Sequence, residues 1–181
     1  VQKLGHKVAI VTGRPYRSSK KIYNQLNLGG PIVNFNGALC HIPSKPEWDG
    51  RYHITLDTEL VLDLVAFNKT LPVDYLMVEG TELMYSNITE LPDCPYYPKD
   101  QKPLLIHPTT KLKEKPTAVA LFSDLELQSE IKKKILHRYN NGIEVRTWGG
   151  SYPCLEVITS GIHKAKAVEH LSRYYDIHQK D

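Results

Sequence analysis

Apolar positions along the chain fall into short runs and i, i+4 stripes, and the change between them marks the elements. Val8-Ala-Ile-Val11 is an uninterrupted apolar run rich in β-branched residues, which predicts a buried strand ended by Thr12-Gly13. Pro15 suits the first turn of a following helix, where its missing N–H costs nothing. Ser18 is a candidate cap for that helix. Ile22 and Leu26 lie four residues apart and predict its inward face, and Gly29-Gly30 ends it. Pro31-Ile-Val-Asn-Phe-Asn36, closed by Gly37, reads as a second strand. Strand, helix and strand with short connections indicate an α/β sheet.

From about Ala38 the pattern changes. His53 to Leu56 predicts a short strand. Asp57 or Thr58 then caps a helix with Val61, Leu64 and Val65 inward, and Pro72 stops it. Residues 74–79 and 81–86 read as a hairpin turning at Gly80. Residues 87–115 are irregular and rich in proline, with room for one short helix or strand. The Tyr96-Tyr97 pair in this stretch suits either a binding loop or packing against the hairpin. Thr117 to Phe122 predicts a strand, Asp124 a cap, and Leu127, Ile131 and Ile135 a helix face. Ile143–Trp148 and Leu155–Thr159 read as an antiparallel pair. A last helix starts near His163 with Ala167, Val168 and Leu171 inward. The expected organisation is an α/β segment over 1–40, an α+β segment over 41–153 and a return to the first over 154–181. The middle segment is expected to form an antiparallel sheet with helices on one side, built from two αββ-type halves. Both ends fall abruptly within elements, which predicts that the chain is a piece of a larger fold.

Composition narrows the function. In 181 residues, 23 Lys and Arg face 20 Asp and Glu, a net charge of +3 that is mixed in sign along the chain. That balance argues against a nucleic-acid partner, and the basic run Lys132–Lys134 reads as the solvated outer face of a helix. Cys40, Cys94 and Cys154 are widely separated and odd in number, so neither a disulfide framework nor a close metal-ligand spacing is indicated. A reducing, cytoplasmic location is the expectation, with Cys154 in buried packing rather than acting as a nucleophile. No run approaches the roughly 20 apolar residues of a membrane span. His41, His53, His107, His137 and His163 form no ligand-spaced cluster.

Two positions carry candidate chemistry. The Thr12 hydroxyl lies at a strand end beside the N–H groups of a helix start, an arrangement that suits an anion such as phosphate and equally an ordinary βα turn. Lys164 falls in the first turn of the last helix, where the dipole disfavours a cation by less than about 1 kcal/mol. Chance explains a cost that small, and a bound anion or carboxylates opposite would reverse it. His163 reads first as a helix-start residue.

Val-Ala-Ile-Val-Thr-Gly-Arg-Pro (8–15), Pro-Ile-Val-Asn-Phe-Asn-Gly-Ala (31–38) and Leu-Glu-Val-Ile-Thr-Ser-Gly-Ile-His-Lys-Ala-Lys-Ala-Val (155–168) together resemble a Cof-type haloacid dehalogenase-like (HAD) phosphatase of capped subclass IIB. The resemblance covers essentially the whole chain. It implies a partial Rossmann-like α/β core with an inserted α+β cap, and hydrolysis of a small phosphate ester through an aspartyl-phosphate with Mg2+. It makes Thr12 the residue that hydrogen-bonds the transferring phosphoryl group and Lys164 the lysine that neutralises its charge. Gly13, Arg14 and Asn36 would line the phosphate site; a salt bridge for Arg14 and a turn role for Asn36 remain open. The Asp-x-Asp nucleophile motif expected ahead of residue 1 and the acidic metal motif expected after residue 181 are not in this chain. It is therefore expected to hold no metal ligands and to be inactive alone, as a monomer or weak homodimer. The other reading is a non-catalytic α+β ligand-binding module built on the middle segment.

Overall fold

The computed structural model describes residues 2–93, 101–148, 152–178 and 180. Tyr96-Tyr97 and Cys94 lie outside the described residues. In chain order the elements are β1 (Ile10–Val11), α1 (Tyr16–Leu26), β2 (Ile32–Asn34), β3 (Leu39–His41), β4 (Tyr52–His53), α2 (Thr58–Phe67), β5 (Tyr75–Glu79), β6 (Met84–Ser86), β7 (Leu104–Leu105), β8 (Ala118–Phe122), α3 (Gln128–Arg138), β9 (Ile143–Trp148), β10 (Cys154–Thr159) and α4 (Lys164–Tyr174). They form two compact units, residues 1–54 with 162–181, and residues 55–161.

The first unit is a sheet in the order β1-β2-β3-β4. β1 and β2 are parallel across the α1 crossover, and β3 and β4 continue antiparallel. Strand alternation divides the unit into two layers of packing. Ile32 faces α1, where it is buried with Tyr16 and Tyr23. Val33 and Cys40 face α4, against Ala167 and Leu171. Four expectations fail here. The first strand is only Ile10–Val11 and half-buried. Ile22 and Leu26 are 48% and 54% exposed. The stripe that meets the sheet is Tyr16, Ser19 and Tyr23, since each tyrosine buries its ring there and Tyr23 still donates its hydroxyl hydrogen to the Gly30 carbonyl at 2.6 Å. Val168 is likewise exposed while Ala167 and Leu171 are buried. Helix α1 starts at Tyr16 behind Pro15, with no side-chain cap from Ser18.

The second unit is a six-stranded sheet in the order β7-β6-β5-β8-β10-β9, antiparallel except for β6 with β7. One face carries the larger core. There Val61, Leu64 and Val65 of α2 and Ile131 and Ile135 of α3 pack on Leu76, Val78, Val119, Leu121, Leu155 and Val157. Both helices thus lie on one side, as their i, i+3, i+4 stripes required. Asp57 caps α2 by accepting from the Leu60 N–H at 2.9 Å. Asp124 makes no such side-chain bond; a 3-10 turn over Leu125–Leu127 leads into α3 instead. Among its described residues, the irregular stretch supplies one short strand, β7, paired parallel to β6.

The boundaries shift from 41 and 153 to 54 and 162. β3 and β4 extend the first sheet, so residues 41–54 group with it. β10 bonds along its length to both β8 and β9, so 154–159 are interior to the second sheet. Cys154 is buried among Tyr75, Met77 and Phe122, as packing rather than chemistry. Replacing Ile131, fully buried at the α2–α3 core, with alanine is expected to cost about 2–4 kcal/mol, read as a lower urea midpoint for unfolding. An unchanged midpoint would remove this residue from the core.

Candidate active site

The C-terminal end of β1 runs directly into the turn Thr12-Gly13-Arg14. Thr12 is held in the sheet at both backbone groups: its N–H donates to the Val33 carbonyl at 2.9 Å, and its carbonyl accepts from the Asn36 N–H at 3.0 Å. The Arg14 N–H donates to the Thr12 hydroxyl oxygen at 3.2 Å. That bond uses an oxygen lone pair and leaves the hydroxyl hydrogen as a donor for an acceptor outside the turn.

The neighbouring turn follows β2. Phe35, Asn36 and Gly37 have φ of +51°, +57° and +117° in succession. For Phe35 and Asn36 this left-handed backbone costs energy that the surroundings must offset. A Cβ on Gly37 would sit 2.8 Å from the His163 carbonyl oxygen, so only glycine allows this turn to meet the start of α4. A Cβ on Gly13 would sit 2.8 Å from Asn36 Oδ1, so Gly13 and Asn36 are equally close. The Tyr52 hydroxyl donates to the Gly37 carbonyl at 3.0 Å, and burial pushes that phenol up to about 12. The turn is thereby fixed from the β4 side.

Helix α4 begins at Lys164, with His163 as its N-cap accepting from the Lys166 N–H. No acidic residue lies in the first turn, so the positive end of the dipole is not neutralised within the helix. Lys164 and Arg14 are exposed, and Thr12, Gly13 and Asn36 are half-buried. The fold therefore brings Thr12, Gly13 and Asn36 together and sets the backbone beside Lys164 against them. A hydroxyl and an amide meet there, the cationic residues Arg14 and Lys164 follow Gly13 and His163 in the chain, and none of these residues carries a carboxylate. Such a set suits a phosphate and does not fit a divalent cation. Among the described residues, no group of three or more His, Cys, Asp or Glu side chains could hold a metal ion. Among the same residues, no helix is long and apolar enough to cross a membrane.

The groups that brace this site carry no motif in the sequence. Asn34, fully buried at the end of β2, donates from Nδ2 to the Arg14 carbonyl at 2.9 Å and to the Ser19 hydroxyl at 3.0 Å. His41 Nε2 lies 3.2 Å from Asn34 Oδ1. Burial, with Arg51 and His53 nearby, pushes the His41 imidazole down to about 4. The one signal in the sequence was a polar residue inside Ile-Val-Asn-Phe, since a buried amide requires partners.

The whole chain, residues 1–181, matches the family of haloacid dehalogenase-like hydrolases. The chain belongs to that family. It is 32% identical over 174 residues to 5-amino-6-(5-phospho-D-ribitylamino)uracil phosphatase YitU of Bacillus subtilis, covering 96% of this chain and 64% of that protein. Among solved structures it resembles a haloacid dehalogenase-like hydrolase from Bacteroides thetaiotaomicron, with a TM-score of 0.74 at 16% identity, covering 97% of this chain and 66% of the other. It also resembles the HAD subclass IIB sugar phosphatase BT4131, with a TM-score of 0.68 at 17% identity, covering 98% and 65%. The structural likeness carries the fold, a Rossmann-like core with a cap. The chain spans about 64% of the length of the curated relative it matches.

Two outcomes follow for the site. Gly37→Ala is expected to lose about 1–3 kcal/mol from its strained φ and the clash at His163, measured by urea unfolding. Stability equal to wild type would show that the turn can move away from α4. His41 binds a proton less readily folded than unfolded. Its contribution to stability is therefore complete above about pH 6.5, falls as pH drops through that value, and levels off near pH 4. His41→Phe should flatten that part of the unfolding-versus-pH curve, and an unaltered curve would exclude His41 as its source.

Proposed function

We propose that the whole protein is a phosphoric monoester hydrolase acting on a small phosphorylated metabolite, a sugar phosphate in particular. The observation that carries this reading is the meeting of three segments distant in sequence: the Thr12 turn, the left-handed Phe35–Gly37 turn and the uncompensated positive start of α4. The Thr12 turn offers a hydroxyl donor and the start of α4 offers positive charge, and the left-handed turn holds the two together. In this reading the Thr12 hydroxyl hydrogen donates to an oxygen of the phosphoryl group. Lys164 and the N-terminus of α4 offset charge that accumulates there, and the Gly13 backbone allows close approach. The attacking aspartate and the ligands for Mg2+ belong to other residues than these. The sugar-phosphate class is supported by the ribityl phosphate in the name of the Bacillus subtilis relative and by the sugar phosphatase among the structural neighbours.

The intact protein is expected to hydrolyse p-nitrophenyl phosphate with Mg2+ and to stop when EDTA is added. Thr12→Val and Lys164→Ala should each lower kcat by about 10²-fold with a smaller change in KM. Sugar phosphates should give higher kcat/KM than the aryl ester. A folded protein that binds sugar phosphates without hydrolysing any ester would favour a binding module. Hydrolysis that survives both substitutions would place the phosphate elsewhere.

A further inference from the structure

The Arg14 carbonyl is the rear anchor of the Thr12 turn. It accepts from two groups on the β2 side, the Phe35 N–H at 3.3 Å and Asn34 Nδ2 at 2.9 Å. The peptide that follows it leads into Pro15 and has no N–H of its own to hold it. The position of this carbonyl therefore depends on what β2 presents to it.

Asn34 has a single workable orientation. Its side chain lies on the α1 face of the sheet, two residues from Ile32, and His41 is the cross-strand partner of Ile32 on β3. The Arg14 carbonyl oxygen can only accept, so Nδ2 must point at it; the flipped amide would set two oxygens against each other. The second Nδ2 hydrogen goes to Ser19, whose hydroxyl lies 3.1 Å from the Pro15 carbonyl and 3.2 Å from that of Tyr16. Oδ1 then needs a donor, and it faces His41 Nε2. His41 is held in place by an edge-to-face contact with the Tyr16 ring, 4.9 Å between centroids.

Resting on the phosphate reading of the Thr12 turn, we propose that Asn34 and His41 are positioning residues: neutral His41, protonated at Nε2, orients the Asn34 amide, and that amide sets the Arg14 carbonyl and so the aim of the Thr12 hydroxyl. The relay runs from β3 through β2 to the turn and the first turn of α1. Neither side chain touches the phosphate. Both act through the backbone of the turn that does.

Two measurements on the intact protein test this. Imidazole 15N shifts at pH 7 should show His41 as the neutral Nε2–H tautomer; an Nδ1–H tautomer would overturn the proposal without reference to activity. In kinetics with p-nitrophenyl phosphate, Asn34→Asp should lower kcat at least 10-fold, because an oxygen replaces the donor facing the Arg14 carbonyl. His41→Phe should lower kcat several-fold, and His41→Gln, which restores an N–H donor, should recover most of it. KM should stay within about two-fold throughout. Because Asn34 is fully buried and a charge there lowers folding yield, the His41 pair decides the matter on half-buried ground. Far-UV circular dichroism at the assay temperature confirms that each variant compared is folded. Folded His41→Phe with wild-type kcat, or His41→Gln no better than His41→Phe, would overturn the relay. If instead the wild type shows no dependence on Thr12 or Lys164, the phosphate reading fails, and the tautomer result stands on its own.

Discussion

The approach of Gly37 to the backbone of His163 is the constraint on which the candidate site depends. It requires a residue without a side chain at φ of +117°, in a turn where the two preceding residues are also left-handed. Left-handed backbone at Phe35 and Asn36 is unfavourable in isolation. It persists because hydrogen bonds and packing around the turn determine it on several sides: Asn36 N–H to Thr12, Phe35 N–H to Arg14, and Tyr52 to the Gly37 carbonyl. Strain of this kind, kept in place by its surroundings, places the start of a helix beside a strand end.

The first unit uses its two sheet faces differently. Toward α4 the contacts are apolar, with Val33 and Cys40 against Ala167 and Leu171. Burial pushes the Cys40 thiol up to about 12, which makes it an inert packing group. Toward α1 the contacts mix rings with a buried amide, a hydroxyl and an imidazole. A buried amide left without partners costs more than its hydrogen bonds return, so the polar residues on this face come as a connected set. That set converges on the turn that carries Thr12, and the apolar face does not. The polarity of one sheet face and the placement of the site are thus one feature.

The second unit shows the opposite economy. Its helices and strands meet mainly through aliphatic side chains, and some of its polar groups serve the ends of elements. Asp57 caps α2, and Glu144 accepts from the Gly161 N–H at 2.6 Å where the chain leaves the sheet. The Thr159 hydroxyl donates to the Thr55 carbonyl at 3.0 Å, tying together the two strands of chain that enter and leave this unit. Hydrogen-bonded sheet continuity, rather than any change in composition, decides that β10 belongs here.

Periodicity alone determined much of this protein. It placed the β1-α1-β2 crossover, the two helices on one face of a mainly antiparallel sheet, and a last helix starting near His163, because a repeat of two or of nearly four residues is a local property. Thr12 and Lys164 stand out in the sequence as candidates, one at a strand end and the other as a charge at the unfavourable end of a helix. Tertiary structure alone decided which stripe of α1 is buried. Ile22 and Leu26 lose to Tyr16 and Tyr23 because the sheet offers ring-sized space and a carbonyl for a phenol, neither of which is encoded within the helix. It also decided the unit boundaries, which follow from the pairing of β3 with β4 and of β10 with β8 and β9. The bracing of the site by Asn34 and His41 was illegible for the same reason. A hydrogen bond between residues on three different elements has no spacing in the sequence, and it exists only once β1, β2 and β3 are side by side.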